Sequence, residues 1–330
     1  MATIVSGVQY SGIWSLSGQA NAKALGTWPV IGSGLYTWGG NNFYNLGLGD
    51  NVSRSSPTQV GALINWASIA GFYSAAAIKT DGTLWTWGAA NSGALELGNL
   101  TVYSLPKQVG TLNNWSKVSG GRYCAASVKT DGTLWSWGQN NNGQLGLGDI
   151  SNRSSPTQVG ALTNWLKITC GQYHAGAIKT DGTLWMWGTN LSGNLGLGNT
   201  TTYSSPKQVG ALTNWLSVAC GTYHTSSVKT DGTLWTWGQN TYGELGLGNT
   251  TFYSSPKQVG ALTTWSKIVG GSTFSRAIKT DGTLWMWGLN NAGQLGLGNI
   301  TAYSSPKQVG SSTSWLTIAS TYFYSAATKS

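Results

Sequence analysis

The chain has 330 residues, among them 48 Gly and 19 Trp, with only 18 Lys plus Arg and 9 Asp plus Glu, for a net charge of +9. Charged residues are 8 % of the total, against roughly a quarter in an ordinary soluble domain, which excludes coiled coils and long surface helices. Disorder is excluded by 40 % hydrophobic and 12 % aromatic content, and no apolar run reaches the ~18 residues of a membrane span.

The first segment, residues 1–34, stands outside any repeat. It has neither a basic start nor a long apolar stretch, so it does not read as a secretory signal. Ser17 is placed to cap a short Ala-rich helix that Gly26 stops. Trp14, Leu16 and Trp28 flank it as apolar anchors, and Val30 to Gly34 reads as a linker. The pattern Gly12-Ile13-Trp14-Ser15-Leu16, then Gln19 and Ala22, then Gly26-Thr27-Trp28-Pro29 resembles N-terminal segments of tailed-bacteriophage structural proteins. That resemblance implies docking to a particle, with Trp14, Leu16 and Trp28 as the docking candidates.

Residues 35–330 are repetitive. Lys-Thr-Asp-Gly-Thr-Leu-Trp begins at Lys79, Lys129, Lys179, Lys229 and Lys279, a step of 50. Trp66, Trp115, Trp165, Trp215, Trp265 and Trp315 keep the same step, 49 in the first interval, as do Leu-Gly-Leu-Gly and Pro-x-Gln-Val-Gly. Each unit reads as four short strands. Strand a starts at the Trp (165–169 in one unit). Strand b is a small-residue run ending in Lys (175–179), c is Leu-Trp-x-Trp-Gly (184–188) and d is Pro-x-Gln-Val-Gly (206–210). Alternation puts both Trp of strand c on one face. Asp-Gly between b and c predicts a tight primed hairpin turn.

Four-stranded units at this spacing predict an all-β chain folded as a single β-propeller. One blade cannot bury both faces alone, and Trp between blades supplies ~150–250 Å² each. Six c strands and six a strands give six blades, closed by pairing the N-terminal c and d strands with the C-terminal a and b strands. Val5-Ser6-Gly7 and Tyr10-Ser11 also match Val118-Ser119-Gly120 and Tyr123-Cys124, which leaves a seventh, incomplete blade open. The string Gly-x-Tyr-His, Ile-Lys-Thr-Asp-Gly-Thr-Leu-Trp-x-Trp-Gly and Leu-Gly-Leu-Gly resembles the regulator of chromosome condensation repeat. The resemblance implies a propeller, usually of seven blades. Its best-known member is a nucleotide exchange factor that binds chromatin. This chain lacks an inserted wedge and a basic tail, so neither activity is expected here.

No constellation for chemistry stands out, and neither metal nor cofactor is expected. His174 and His224 occupy one repeat position and read as packing residues. Cys124, Cys170 and Cys220 read as reduced, buried thiols. The repeated Asp residues read as turn residues, and the repeated Lys as solvated hairpin residues. The variable position is three residues before each Pro: Arg54, Tyr103, Arg153, Tyr203, Tyr253 and Tyr303. These are the rim candidates for binding protein or sugar from the long c–d loops. The expected function is a non-enzymatic virion protein, a fibre, decoration or tail-associated propeller on the particle exterior. Its partners would be other virion proteins and a host-surface glycan or receptor, without membrane insertion. Homo-oligomerisation is left open. The competing reading is an intracellular adaptor that binds a protein or, less well supported by the scattered Arg residues, nucleic acid.

Overall fold

The computed structural model describes residues 12–13, 34–62, 65–71, 74–89, 101–319 and 326–329. Among them every regular element is a β-strand. In the Trp165 unit the strands are a (Trp165–Cys170), b (His174–Lys179), c (Leu184–Gly188) and d (Tyr203–Gln208). They pair antiparallel in chain order. The same meander recurs in the units that begin at Trp66, Trp115, Trp215 and Trp265, giving five complete four-stranded blades. Strands a and b of each blade lie against strand a of the next, a propeller-like arrangement.

Period-two alternation on strands buried from both sides explains this packing. Between the Trp165 and Trp215 blades, Ile178, Leu184, Met186 and Val209 close on Trp215, Cys220 and Trp237. Strand b is buried along its whole length. Its small residues let neighbouring sheets approach. Each blade therefore finds its core in the junction with its neighbour, as the repeat logic requires.

Two local expectations are corrected. The b–c connection is not a primed turn. Gly182 has φ +78°, but no Asp of these hairpins has a positive φ. Lys179 N donates to Thr183 O at 3.0 Å, and Gly182 N donates to Lys179 O at 3.0 Å. This is the three-residue hairpin in which only the Gly needs the left-handed region. Strand d starts earlier than expected, at Tyr203, which pairs with Gly188 across an irregularity between Met186 and Gly188. Pro206 is tolerated because d is an outer edge strand with no further partner in its sheet.

The two ends carry shorter sheets. Tyr36–Gly39 pairs with Arg54–Gln59 on one side and with Gly12–Ile13 on the other. Among the described residues no ladder joins it to Ala326–Lys329, which pairs only with Trp315–Ala319. The described residues at the two ends form a three-stranded and a two-stranded sheet. Gly12 stands opposite Trp38, just as Ala125 stands opposite Trp137. That is the register required by the match of Tyr10-Ser11 to Tyr123-Cys124. An N-terminal strand thus takes the b position before 36–39. The helix expected from Ser17 lies outside the described residues.

Candidate functional site

Three repeated constellations are built by the blades. The first is an aromatic box at the start of strands a and c. Trp165 meets Trp185 and Trp187 edge-on, with centroids 6.1 and 6.3 Å away. Lys179 closes the box, its Nζ 3.8 Å from the Trp185 centroid and 4.9 Å from that of Trp165. The register explains why: Trp165 lies opposite Lys179, and Ile178 opposite Leu184. The same Lys–Trp pairing recurs at Lys79, Lys129, Lys229 and Lys279. These lysines are buried, only 5–8 % exposed, so their reading as solvated hairpin residues is corrected. Burial lowers each ammonium below its ordinary value, partly offset by the Asp two residues on. Cation–π attraction compensates lost hydration. Only the strand register, which sets Ile178 opposite Leu184, brings this Lys onto the indoles.

The neighbouring hairpin holds this box in place. Asp181 Oδ1 accepts from Thr183 N at 2.9 Å and Thr183 Oγ1 at 2.6 Å. Trp185 Nε1 donates to the same hydroxyl at 2.9 Å. Hydrogen bonds from Thr183 hold the Asp181 carboxyl below the usual range. The repeated Asp residues are turn residues, as expected.

The second constellation runs along the inner strands. His174 Nε2 lies 2.9 Å from Thr225 Oγ1, and His224 Nε2 lies 3.1 Å from Ser275 Oγ. Thr225 and Ser275 donate their hydroxyls to the Asn194 and Glu244 carbonyls. Each hydroxyl must therefore accept from its His, which fixes the neutral Nε2–H tautomer. Burial pushes His174 down to about 3 and His224 to about 4. Cys124, Cys170 and Cys220 are free and buried. The neighbouring Cys124 thiol and burial raise Cys170, and burial raises Cys220. The His and Cys side chains pack where adjacent blades meet. Among the described residues no cluster of three metal-ligating side chains occurs.

The third constellation is the c–d rim. Arg54 and Arg153 pair with Asp50 and Asp149 at 2.6 Å. Hydrogen bonding from Arg54 lowers Asp50, while the Ser151 amide is the main influence lowering Asp149. Where Asn replaces Asp, Tyr replaces Arg: Asn199, Asn249 and Asn299 donate to the Tyr203, Tyr253 and Tyr303 hydroxyls at 3.3–3.5 Å. Lys207, Lys257 and Lys307 stand 5.3–5.4 Å from those rings. All six rim candidates, Tyr103 included, are half-buried and open strand d. Arg54, Arg153, Tyr203, Tyr253 and Tyr303 each bond to an Asp or Asn of their own loop. What the loops expose are apolar tips that the sequence reading missed, foremost Ile150 (65 %), Leu191 (76 %) and Ile300 (71 %). Trp14, Leu16 and Trp28 lie outside the described residues.

A family model for the regulator of chromosome condensation (RCC1) repeat matches residues 33–71, 81–128, 131–178, 181–228, 231–278 and 281–328. The chain belongs to the RCC1-repeat family. Each RCC1 repeat is offset from the blades: 131–178 holds strands c and d of one blade and a and b of the next. Six such repeats leave a c–d pair at one end and an a–b pair at the other, as observed. Among solved structures the fold is similar to human WBSCR16 at 17 % identity and TM-score 0.69, covering 87 % of this chain and 96 % of that one. It is also similar to Prp20p of Saccharomyces cerevisiae at 18 % identity and TM-score 0.66, covering 91 % and 92 %. No curated protein matches the sequence.

Proposed function

We propose that this RCC1-repeat chain is a non-enzymatic binding propeller that recognises a protein through its c–d rim. The carrying observation is the exposure of apolar tips, Ile150, Leu191 and Ile300, on c–d loops tied down by ion pairs and Asn hydrogen bonds. Exposed apolar groups on ordered loops mark interaction surfaces. The titratable groups support the same reading, since His, Cys and hairpin Asp side chains are engaged in structural contacts. Prp20p, a protein of the same fold, has binding properties to Gsp1p and histones, which supports partner binding as a use of this architecture. In this reading Arg54, Tyr103, Arg153, Tyr203, Tyr253 and Tyr303 buttress the loops and lend their edges to the interface.

The setting we propose is the exterior of a phage particle, with residues 1–34 as the docking segment. It rests on the resemblance of Gly12 to Pro29 to phage structural proteins. Co-expression with the products of adjacent genes tests both parts. A capsid or tail protein should co-elute with the chain. The triple variant Ile150→Asp, Leu191→Asp, Ile300→Asp should fold with unchanged circular dichroism yet fail to bind through the rim. Incorporation into particles without residues 1–34 would refute the docking role.

A further inference from the structure

We infer that the cleft at each Trp–Lys box binds an acidic sugar residue, so that successive junctions hold successive parts of an anionic polysaccharide. The inference uses none of the rim residues and does not depend on the rim reading. Between the Trp165 and Trp215 blades lies a cavity of about 390 Å³, lined by Gln208, Leu212, Trp215, Lys229, Trp235 and Pro256 among others. Its size suits a small ligand, at the lower end of the ~300–1,000 Å³ typical of such sites.

The chemistry of the lining is one-sided. Lys229 Nζ stands 3.8 Å from the Trp235 centroid and forms no ion pair among the described residues. The Trp215 side chain is buried, and its indole N–H has no acceptor among the described residues. A buried donor without a partner is costly, and the residue that carries it lines the cavity. Gln208 and Ser255 add exposed polar groups at the mouth, and no carboxylate lines the cleft. The walls are an indole face, a proline and a leucine.

A matching ligand brings acceptor oxygens, a negative charge and an apolar C–H face. Inorganic phosphate or sulfate lacks the apolar face. A neutral sugar brings the ammonium no counter-charge. A sugar carboxylate satisfies both, with the carboxylate on Lys229 and the ring face on the aromatic wall. Repetition favours a polymer over a single sugar. The neighbouring junctions carry Gln158, Leu162, Trp165, Lys179 and Trp185, and Gln258, Leu262, Trp265, Lys279 and Trp285. Lys179 and Lys279 stand 3.8 and 3.7 Å from their Trp centroids. Weak sites on one rigid scaffold gain strongly from a polymeric ligand.

The test is titration of the full chain, followed by tryptophan fluorescence and calorimetry. The probes are oligogalacturonate, hyaluronan oligosaccharide and oligosialic acid, with a neutral galacto-oligosaccharide as control. At least one acidic probe should bind, with more than one site per chain and an affinity that falls with salt. Leu162→Glu, Leu212→Glu and Leu262→Glu together place carboxylates at three cleft mouths. These leucines are about half exposed, so the thermal midpoint should hold while affinity drops at least tenfold. Lys179→Met, Lys229→Met and Lys279→Met should abolish the salt dependence along with binding. Failure of all three acidic probes overturns the inference. So does equal binding of the neutral sugar, or undiminished binding by the folded leucine variant. A carboxylate-terminated peptide that binds where the sugars do not also overturns it.

Discussion

His174 and His224 are the residues whose burial makes the sharpest prediction. Both are neutral donors to hydroxyls of the next blade, and their ordinary value of 6.5 falls to about 3 and about 4. As pH drops below 6.5, the unfolded chain takes up protons that the folded rings refuse. Stability is therefore lost as pH falls from 6.5 to about 4 for His224 and to about 3 for His174. At pH 5 each ring accounts for ~2 kcal/mol of that loss. Glu244, raised by burial, titrates in the opposite sense, so the informative quantity is a difference between variants. The double variant His174→Gln, His224→Gln should lose markedly less thermal midpoint between pH 7 and pH 5 than the parent. An unchanged drop would mean that these rings are not the acid-sensitive groups. Backbone geometry gives a second prediction. A Cβ on Gly182 would lie 2.0 Å from Thr213 O, whereas at Gly210, φ +58°, it would meet nothing within 4 Å. Gly210→Ala should lower stability by ~1 kcal/mol, the strain of the left-handed region alone. Gly182→Ala should cost about 3 kcal/mol or more, because the hairpin must leave the neighbouring blade. Denaturant midpoints of the two variants measure this contrast.

Element-scale packing separates what the sequence reveals from what it conceals. Strand spacing, the two-Trp face of strand c and the buried thiols were legible, because alternation and identity between copies report them directly. The Lys of strand b was not, since a charged residue beside Asp-Gly reads as solvated until the facing indoles are placed across the ladder. The hairpin type was also hidden, because Asp-Gly suits a primed turn and a three-residue turn alike. At the rim, the sequence shows that Arg follows Asp and Tyr follows Asn at a distance of four, but not that each pair closes on itself. That closure yields a third prediction. The Arg153–Asp149 pair is partly exposed, with side chains 28 % and 43 % accessible. Exposed pairs contribute ~0–1 kcal/mol. Asp149→Asn with Arg153→Tyr installs the arrangement of Asn199 and Tyr203, so the double variant should match the parent within ~0.5 kcal/mol. Asp149→Asn alone should be the less stable of the two, because it strands Arg153. A coupling above ~2 kcal/mol in the double-mutant cycle would show that the rim pair is a structural clamp rather than one of two equivalent ties.

At the scale of the molecule, the offset between repeat and blade controls the ends. Every internal RCC1 repeat spans two blades, so the chain itself crosses each junction and the cores are built there. The first c–d pair has no preceding repeat to supply its b strand, and Gly12–Ile13 takes that place opposite Thr37 and Trp38. Removing it would leave the hydrogen-bonding groups of Tyr36–Gly39 open on one edge, and an open edge invites pairing with another chain. Deletion of residues 1–34 should therefore lower the thermal midpoint and raise the apparent mass in light scattering. Deletion of residues 1–11, which spares the pairing strand, should do neither. Equal midpoints and masses for the two truncations would show that the N-terminal strand is dispensable to the fold. The comparison also bears on particle docking. If truncation at residue 34 abolishes incorporation, the 1–11 deletion, with the anchors Trp14, Leu16 and Trp28 intact, must still incorporate for the loss to report docking. A loss shared by both truncations, with the shorter one still monomeric and stable, would move the docking determinant into the first eleven residues.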